Sequence, residues 1–284
     1  MSAPTPLQGK VALITGASRG IGRAIAQRLA SAGATVVVTA RSVDQAAELP
    51  GTLAETVALI EQQGGKAIAL RADIESVTDL KTLIPRTTEA AGRLDILVNN
   101  AGIAHYAKVE DMPEDMFDLT VQHYLRAPFT LCQEAIPVMR ENGGGWIVNI
   151  GSVTAQRPIQ PWGDWERLGG ATIYAAIKLA LNRFTQGLAA ELENDNIAVN
   201  VVGPSTAIST PGADRFTPED YPTEPVEYLT ETVLAMCQLP ANQRTGLIAH
   251  SLHFPWREKL PVFTLDGAEE LPPPDIPAYA HPDI

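Results

Sequence analysis

From residue 11 onward, short and almost unbroken apolar runs alternate with longer stretches in which apolar positions recur every three or four residues. The runs VALIT (11–15), TVVVTA (35–40), KAIALRAD (66–73), LDILVN (94–99), WIVNIG (146–151) and IAVNVVG (197–203) read as strands. Helical period between them predicts helices over 21–33, 52–63, 76–91, about 113–142 and through Tyr174. Strands that hardly alternate are buried on both faces, so at least six parallel strands with helices above and below are expected, an α/β doubly wound sheet. After Pro204 the pattern weakens. STAISTPGADRFTPEDYPTEP is too rich in Pro, Ser, Thr and Gly for sheet. A helix is predicted over 226–239 and a last strand in TGLIAHSLHF (245–254), whereas LPPPDIPAYAHPDI has too many prolines for a regular element. One domain over 1–255, with a substrate loop near 205–228, and a C-terminal tail over 256–284 is the organisation expected.

Composition narrows the partners more than the fold. Hydrophobic residues make up 45% and charged residues 19% of the 284, a globular balance. The net charge of -12 and the lack of clustered Lys and Arg argue against a nucleic-acid partner. Two cysteines, Cys132 and Cys237, are too few for a disulfide framework or a metal cluster, which favours a reducing cytoplasm and no metal site. MSAPTPLQGK has no apolar h-region and no run is long enough to span a bilayer, so no membrane role is expected.

The chemistry starts at TGASRGIG (15–22), between the first strand and the first helix. Gly16, Gly20 and Gly22 let the backbone turn tightly against a pyrophosphate, and the free N–H groups of Ser18, Arg19, Gly20 and Ile21 with the helix dipole receive its charge. At the end of the second strand stands Arg41, where a carboxylate would read the ribose hydroxyl of NAD. Arg41 and Arg19, with no competing acid, favour the 2′-phosphate of NADP(H) over NAD(H). Tyr174 and Lys178 are four apart in YAAIK and share a helix face, where a cation would lower the phenol's pKa toward general acid-base use.

TGASRGIG, the NNAG of Asn99–Gly102, Ser152 and YAAIK together resemble the short-chain dehydrogenase/reductase family, in its order, from about Gly9 to Pro204. The resemblance implies a Rossmann-type sheet of seven parallel strands and hydride transfer between a nicotinamide cofactor and a carbonyl or alcohol. It makes Tyr174 the acid/base, Lys178 the group that tunes it and holds the nicotinamide ribose, and Ser152 the hydrogen-bond donor to the substrate oxygen. It sets Asp73 and Ile74 at the adenine, Asn100, Ala101 and Gly102 against the cofactor, and Pro204 beside the nicotinamide. Ser205 stands where the family has Gly, and its Thr a few residues later is Ser209 or Thr210. Tyr124 stands where many members have a relay Asn, with His123 beside it expected in a packing or surface role. The stretch between Ser152 and Tyr174 is longer than usual, so Trp162 and Trp165 are either a substrate wall or a surface contact.

The function expected is an NADP(H)-dependent oxidoreductase interconverting a secondary alcohol and a ketone or aldehyde, with an apolar substrate. A non-catalytic NADP(H)-binding sensor or scaffold, or a dehydratase or isomerase of the same fold, are the alternatives. A homodimer or homotetramer is implied by the resemblance, and the tail is expected to cover a neighbouring subunit or to edge the active-site mouth.

Overall fold

A computed structural model describes residues 4–44, 50–215 and 220–284. Seven parallel strands form one sheet in the order β3-β2-β1-β4-β5-β6-β7. They are β1 (Val11–Thr15), β2 (Thr35–Ala40), β3 (Lys66–Arg71), β4 (Ile96–Asn99), β5 (Gly145–Ile150), β6 (Ile197–Gly203) and β7 (Ile248–His250). The helices are α1 (Gly20–Ser31), α2 (Leu53–Gln62), α3 (Val77–Ala91), α4 (Glu114–Val121), α5 (Ala127–Glu141), α6 (Asp164–Leu168), α7 (Thr172–Leu192), α8 (Val226–Met236) and α9 (His253–Glu258).

Why the strands read as unbroken apolar runs is visible in where successive residues point. Ala12, Ile14, Val36 and Val38 join Ile25 and Leu29 of α1, Ile60 of α2 and Val233 of α8 in one core. Val11, Leu13 and Val37 pack with Leu83 of α3, Leu131 of α5 and Leu188 of α7 in the other. Alternate side chains leave the sheet on opposite faces, so both sets must be apolar. The chain winds outward from β1 to β3, then crosses back to lay β4 against the other side of β1. The reversal opens a crevice at the carboxyl ends of β1 and β4, where open α/β sheets bind ligands.

Three elements depart from expectation. The helical stretch 113–142 is interrupted by five residues of π-helix, Gln122–Arg126, because Pro128 has no N–H to return to the Tyr124 carbonyl. The last strand is three residues rather than ten, since Leu252 opens α9 and Pro255 lies in its first turn, where a missing N–H costs nothing. The region 256–284 begins inside α9 and adds a two-stranded ribbon, β8 (Val262–Phe263) with β9 (Glu270–Leu271), seated on Tyr228 of α8. Of the loop after Pro204, 216–219 lie outside the described residues.

The first core also holds a charge pair. Arg28 of α1 donates to Glu231 of α8 through Nε at 2.7 Å and Nη2 at 3.3 Å, with Arg28 only 1% exposed. Removing one partner strands the other charge, so Arg28→Ala should lower the unfolding free energy by about 3–5 kcal/mol in urea titrations. The double change Arg28→Met with Glu231→Leu should restore most of it, and equal losses in both would refute the reading.

Candidate active site

At the crevice, β1 runs into a turn that only glycine can make. Gly16 and Gly20 have φ of +67° and +54°. A Cβ on Gly22 would lie 2.3 Å from the Gly16 carbonyl oxygen and 2.5 Å from Asn100 Nδ2. Asn100 holds the turn from the β4 side, donating to the Thr15 and Gly16 carbonyls at 2.8 and 3.2 Å, while the N–H groups of Asn100 and Ala101 donate to Thr15 Oγ1. The N-terminus of α1 has no side-chain cap and no acid in its first turn. Its opening N–H groups therefore point toward a place suited to a pyrophosphate, and the Cβ-free backbone leaves room for it. Ser18 is buried beside this turn, and its carbonyl accepts from Arg23.

Thr210 rather than Ser209 lies against the turn, since a Cβ on Gly20 would be 3.2 Å from its Cβ and Cγ2. Ser209 instead donates to Asp214 at 3.2 Å. Pro204 follows β6, and Ser205 is used structurally: its Oγ is 2.9 Å from His253 Nδ1 and accepts from the Leu252 N–H at 3.0 Å. Buried Glu224 takes the N–H groups of Ser205 and Thr206 and the Ser251 hydroxyl.

Beyond β3, the Asp73 backbone N–H is held by Asp79 at 2.8 Å, and the Ile74 carbonyl accepts from Gln122 at the same distance. The absence of a competing acid near Arg41 is corrected here. Arg41 Nη1 is 3.2 Å from Glu75 Oε1, because the turn after β3 brings Glu75 beside the end of β2. His123 is a buried packing residue rather than a surface group, and it is also hydrogen-bonded: it is 2% exposed, with Nε2 3.1 Å from the same oxygen and Nδ1 accepting from the Ile103 N–H at 3.3 Å.

Ser152, Tyr174 and Lys178 come together at the end of β5. Lys178 is buried and donates to the Ile150 carbonyl at 2.7 Å. Its Nζ lies 4.0 Å from the centroid of Tyr124 and 5.6 Å from that of Tyr174. The relay position therefore offers Lys178 an aromatic face, a favourable seat for a cation. Gly102 makes room for that face, since a Cβ there would come within 2.4 Å of the Tyr124 ring. Ser152 Oγ is 2.8 Å from Thr154 Oγ1 and forms a hydrogen bond that favours ionisation of Tyr174.

The expected lowering of the phenol by Lys178 is not what this environment does. Burial raises the Tyr174 pKa well above 10, Tyr106 adds to the rise, and Ser152 opposes it. Burial also pulls Lys178 from 10.5 to about 7, which weakens the field it would exert near neutrality.

An aromatic series covers the phenol. Tyr106 meets Tyr174 edge to face at 5.5 Å and Trp165 at 5.6 Å, and Tyr124 meets Tyr174 at 5.3 Å. Trp165 thus reaches the site through Tyr106, and both tryptophans are exposed, Trp165 at 45% and Trp162 at 51%. The Ala107 N–H donates to the Gly170 carbonyl at 3.1 Å, joining the loop after β4 to the insertion. From the other side the tail ties to the insertion, as Arg157 pairs with Asp283 at 2.6 Å and its carbonyl meets His281 at 2.9 Å. Tyr106 and Thr154 were missed by sequence reasoning. Tyr106 could have been sought as an aromatic four residues after the NNAG, but nothing local marks Thr154 beyond its nearness to Ser152.

No group of three or more His, Cys, Asp or Glu side chains among the described residues is arranged to hold a metal. None of their helices is long and apolar enough to cross a membrane. Cys132 and Cys237 are both buried thiols, with Cys132 pushed up to about 12 by burial.

Glycine turn, switch-point crevice and the Ser, Tyr and Lys at one strand end define a dinucleotide-binding oxidoreductase fold. Residues 10–220 match the family described as short chain dehydrogenase, and the chain belongs to that family of nicotinamide-dependent oxidoreductases. It is similar to a hydroxynaphthalene reductase-like protein Arp2 of Metarhizium majus, 34% identical over 83% of this chain and 84% of that protein. A short chain dehydrogenase from Burkholderia cenocepacia, solved with NADP, is 34% identical, with a TM-score of 0.72 over 86% of this chain and 97% of its own. A 7α-hydroxysteroid dehydrogenase, solved with NADH and 7-oxo glycochenodeoxycholic acid, is 31% identical, with a TM-score of 0.74 over 86% and 93%.

The buried ammonium has a thermodynamic signature. Between about pH 7 and 10.5 the unfolded chain holds a proton on Lys178 that the folded chain has released, so this group makes stability rise with pH in that window. Lys178→Met should be more stable than wild type near pH 6 and should lack this part of the rise when urea midpoints are measured against pH. Parallel pH curves for the two proteins would contradict it.

Proposed function

We propose that this protein is an NADP(H)-dependent carbonyl reductase that interconverts a secondary alcohol and a ketone or aldehyde of apolar body. The single observation that carries the reading is the convergence of Ser152, Tyr174 and Lys178 at the end of β5, beside the glycine turn. The cofactor would lie with its pyrophosphate at Gly16–Gly22, its adenine near Asp73 and Ile74, and its nicotinamide ribose within reach of Lys178. When bound, it supplies or accepts the hydride at the carbonyl carbon.

The residues divide the remaining work. Ser152 Oγ donates to the substrate oxygen, and Thr154, 2.8 Å away, orients that hydroxyl. Donors already aimed at a developing alkoxide stabilise it without reorganising. Tyr174, whose pKa is raised by burial, holds its proton at neutral pH and gives it to the alkoxide as the carbonyl is reduced. Lys178 reprotonates the phenol more readily for having its own pKa near 7. In the reverse direction the same groups accept the proton. Tyr106 meets Tyr174 edge to face and Trp165 meets Tyr106 in turn, and these aromatic surfaces beside the phenol favour a flat apolar substrate. The names of the relatives, which speak of hydroxynaphthalene and of a steroid, agree with that preference.

Arg41 supports NADP(H), although one neighbour was solved with NADP and another with NADH. Pairing of two copies through α4, α5 and α7 is supported by the exposed Phe117, Phe129 and Leu179 and by a mostly apolar groove lined by Val121, Leu125, Arg126, Phe129 and Phe184. The two unpaired cysteines, Cys132 and Cys237, support a reducing cytoplasm.

Tyr174→Phe should lower kcat about a hundred- to ten-thousand-fold in a panel of aromatic and alicyclic ketones followed at the NADPH absorbance, while NADPH binding persists. Near-native turnover by this variant would refute the acid role, and NADPH binding without turnover of any ketone by the wild type would favour a sensor or scaffold. Phe129→Glu should convert the assembly to monomers in sedimentation. A monomeric wild type would end the pairing proposal.

A further inference from the structure

The end of β2 carries a device that the cofactor reading does not include. Arg41 is 54% exposed at its side chain and is paired with Glu75, whose Oε1 lies 3.2 Å from Arg41 Nη1 and 3.1 Å from His123 Nε2. One carboxylate oxygen thus serves two cationic or donating partners from different elements. Glu75 is itself anchored, because its N–H donates to Asp73 Oδ1 at 3.0 Å. The tautomer of His123 follows from its other nitrogen: Nδ1 accepts from the Ile103 N–H at 3.3 Å, so Nε2 carries the hydrogen and donates to Glu75.

From this geometry we infer that Glu75 is a specificity-determining residue for the cofactor. It shields Arg41 and so reduces the discrimination between a dinucleotide that carries a 2′-phosphate and one that carries a 2′-hydroxyl. The inference rests on the reading that Arg41 meets the 2′ position. A 2′-phosphate dianion approaching Arg41 must displace a carboxylate already there and then bind with that like charge beside it. A 2′-hydroxyl meets a guanidinium already neutralised and faces neither cost. His123 makes the arrangement durable: when Arg41 swings away, Glu75 keeps a hydrogen-bond donor, and so it remains near the site as a fixed negative charge. Among the described residues, Arg71 with Asp79 at 4.0 Å and Arg23 with Glu55 at 2.9 Å are further charged pairs on the neighbouring elements, and each contributes one charge of each sign.

Glu75 also differs from an acid that reads ribose directly. Such an acid ends β2 and has a free carboxylate for the hydroxyls. Glu75 stands beyond β3, with its inner oxygen committed to a guanidinium and an imidazole.

The test compares the full chain as wild type, Glu75→Gln and Arg41→Ala, with NADPH and NADH titrated separately by cofactor fluorescence at one fixed ionic strength. Glu75→Gln keeps an oxygen for His123 and removes the charge. It should tighten NADPH about fivefold, the scale of a partly exposed ion pair, and leave NADH within about twofold. Arg41→Ala should weaken NADPH and spare NADH. If Arg41→Ala behaves so but Glu75→Gln leaves the ratio of the two affinities unchanged, the role given to Glu75 is overturned and the reading of Arg41 stands. A selective loss of NADH in Glu75→Gln overturns it as well, because Glu75 would then be reading the ribose. Equal weakening of both cofactors would reveal a merely structural role and overturn it too. An unchanged ratio in Arg41→Ala overturns the Arg41 reading and this inference together.

Discussion

A buried ammonium must be compensated by something, and the site is built around how Lys178 is. It has the Ile150 carbonyl at 2.7 Å and the face of Tyr124 at 4.0 Å. One neutral acceptor and one aromatic face are far less than water offers, which is why burial draws its pKa down to about 7. Each support has its own requirement. The carbonyl is at the end of β5, the strand held between β4 and β6. The ring is aimed by the π-turn ahead of Pro128 and is admitted by the missing side chain of Gly102. The lysine itself comes from α7, one turn beyond Tyr174, so three elements must be in register before the amine has a place.

The same packing sets the character of the phenol. Tyr174 lies between Tyr124 and Tyr106, with Trp165 beyond, and this apolar company raises its pKa where a nearby full charge would have lowered it. The hydroxyl of Ser152 is the group that works in the other direction. The insertion that bears Trp165 is tied to the loop after β4 through Gly170 and to the tail through Arg157, so the cover over the phenol depends on three separate stretches of chain.

Much of this was legible because it is local. Double-sided burial wrote the strands as plain apolar runs, glycines with positive φ marked the turn, and the four-residue spacing of Tyr174 and Lys178 is a helix property. What was not legible arises between distant segments. Arg41 and Glu75 are 34 residues apart and meet only because β3 lies beside β2. Tyr124 could be read as a departure from a pattern, but its role as a seat for Lys178 depends on a π-turn that residue spacing alone does not announce. The burial of Tyr174 and Lys178 was not legible for a related reason: spacing on a helix face shows that two groups meet, while the burial that raises one pKa and lowers the other is a tertiary property.

A crystal structure of the protein grown with NADPH would show directly whether Lys178 and Tyr174 meet the cofactor. The nicotinamide ribose should lie within hydrogen-bond reach of Lys178, the ring should face the space between Ser152 and Tyr174, and the pyrophosphate should rest on the N–H groups of Gly20 to Gly22. A dinucleotide bound with its nicotinamide away from Tyr174, or one that leaves the glycine turn untouched, would contradict that placement.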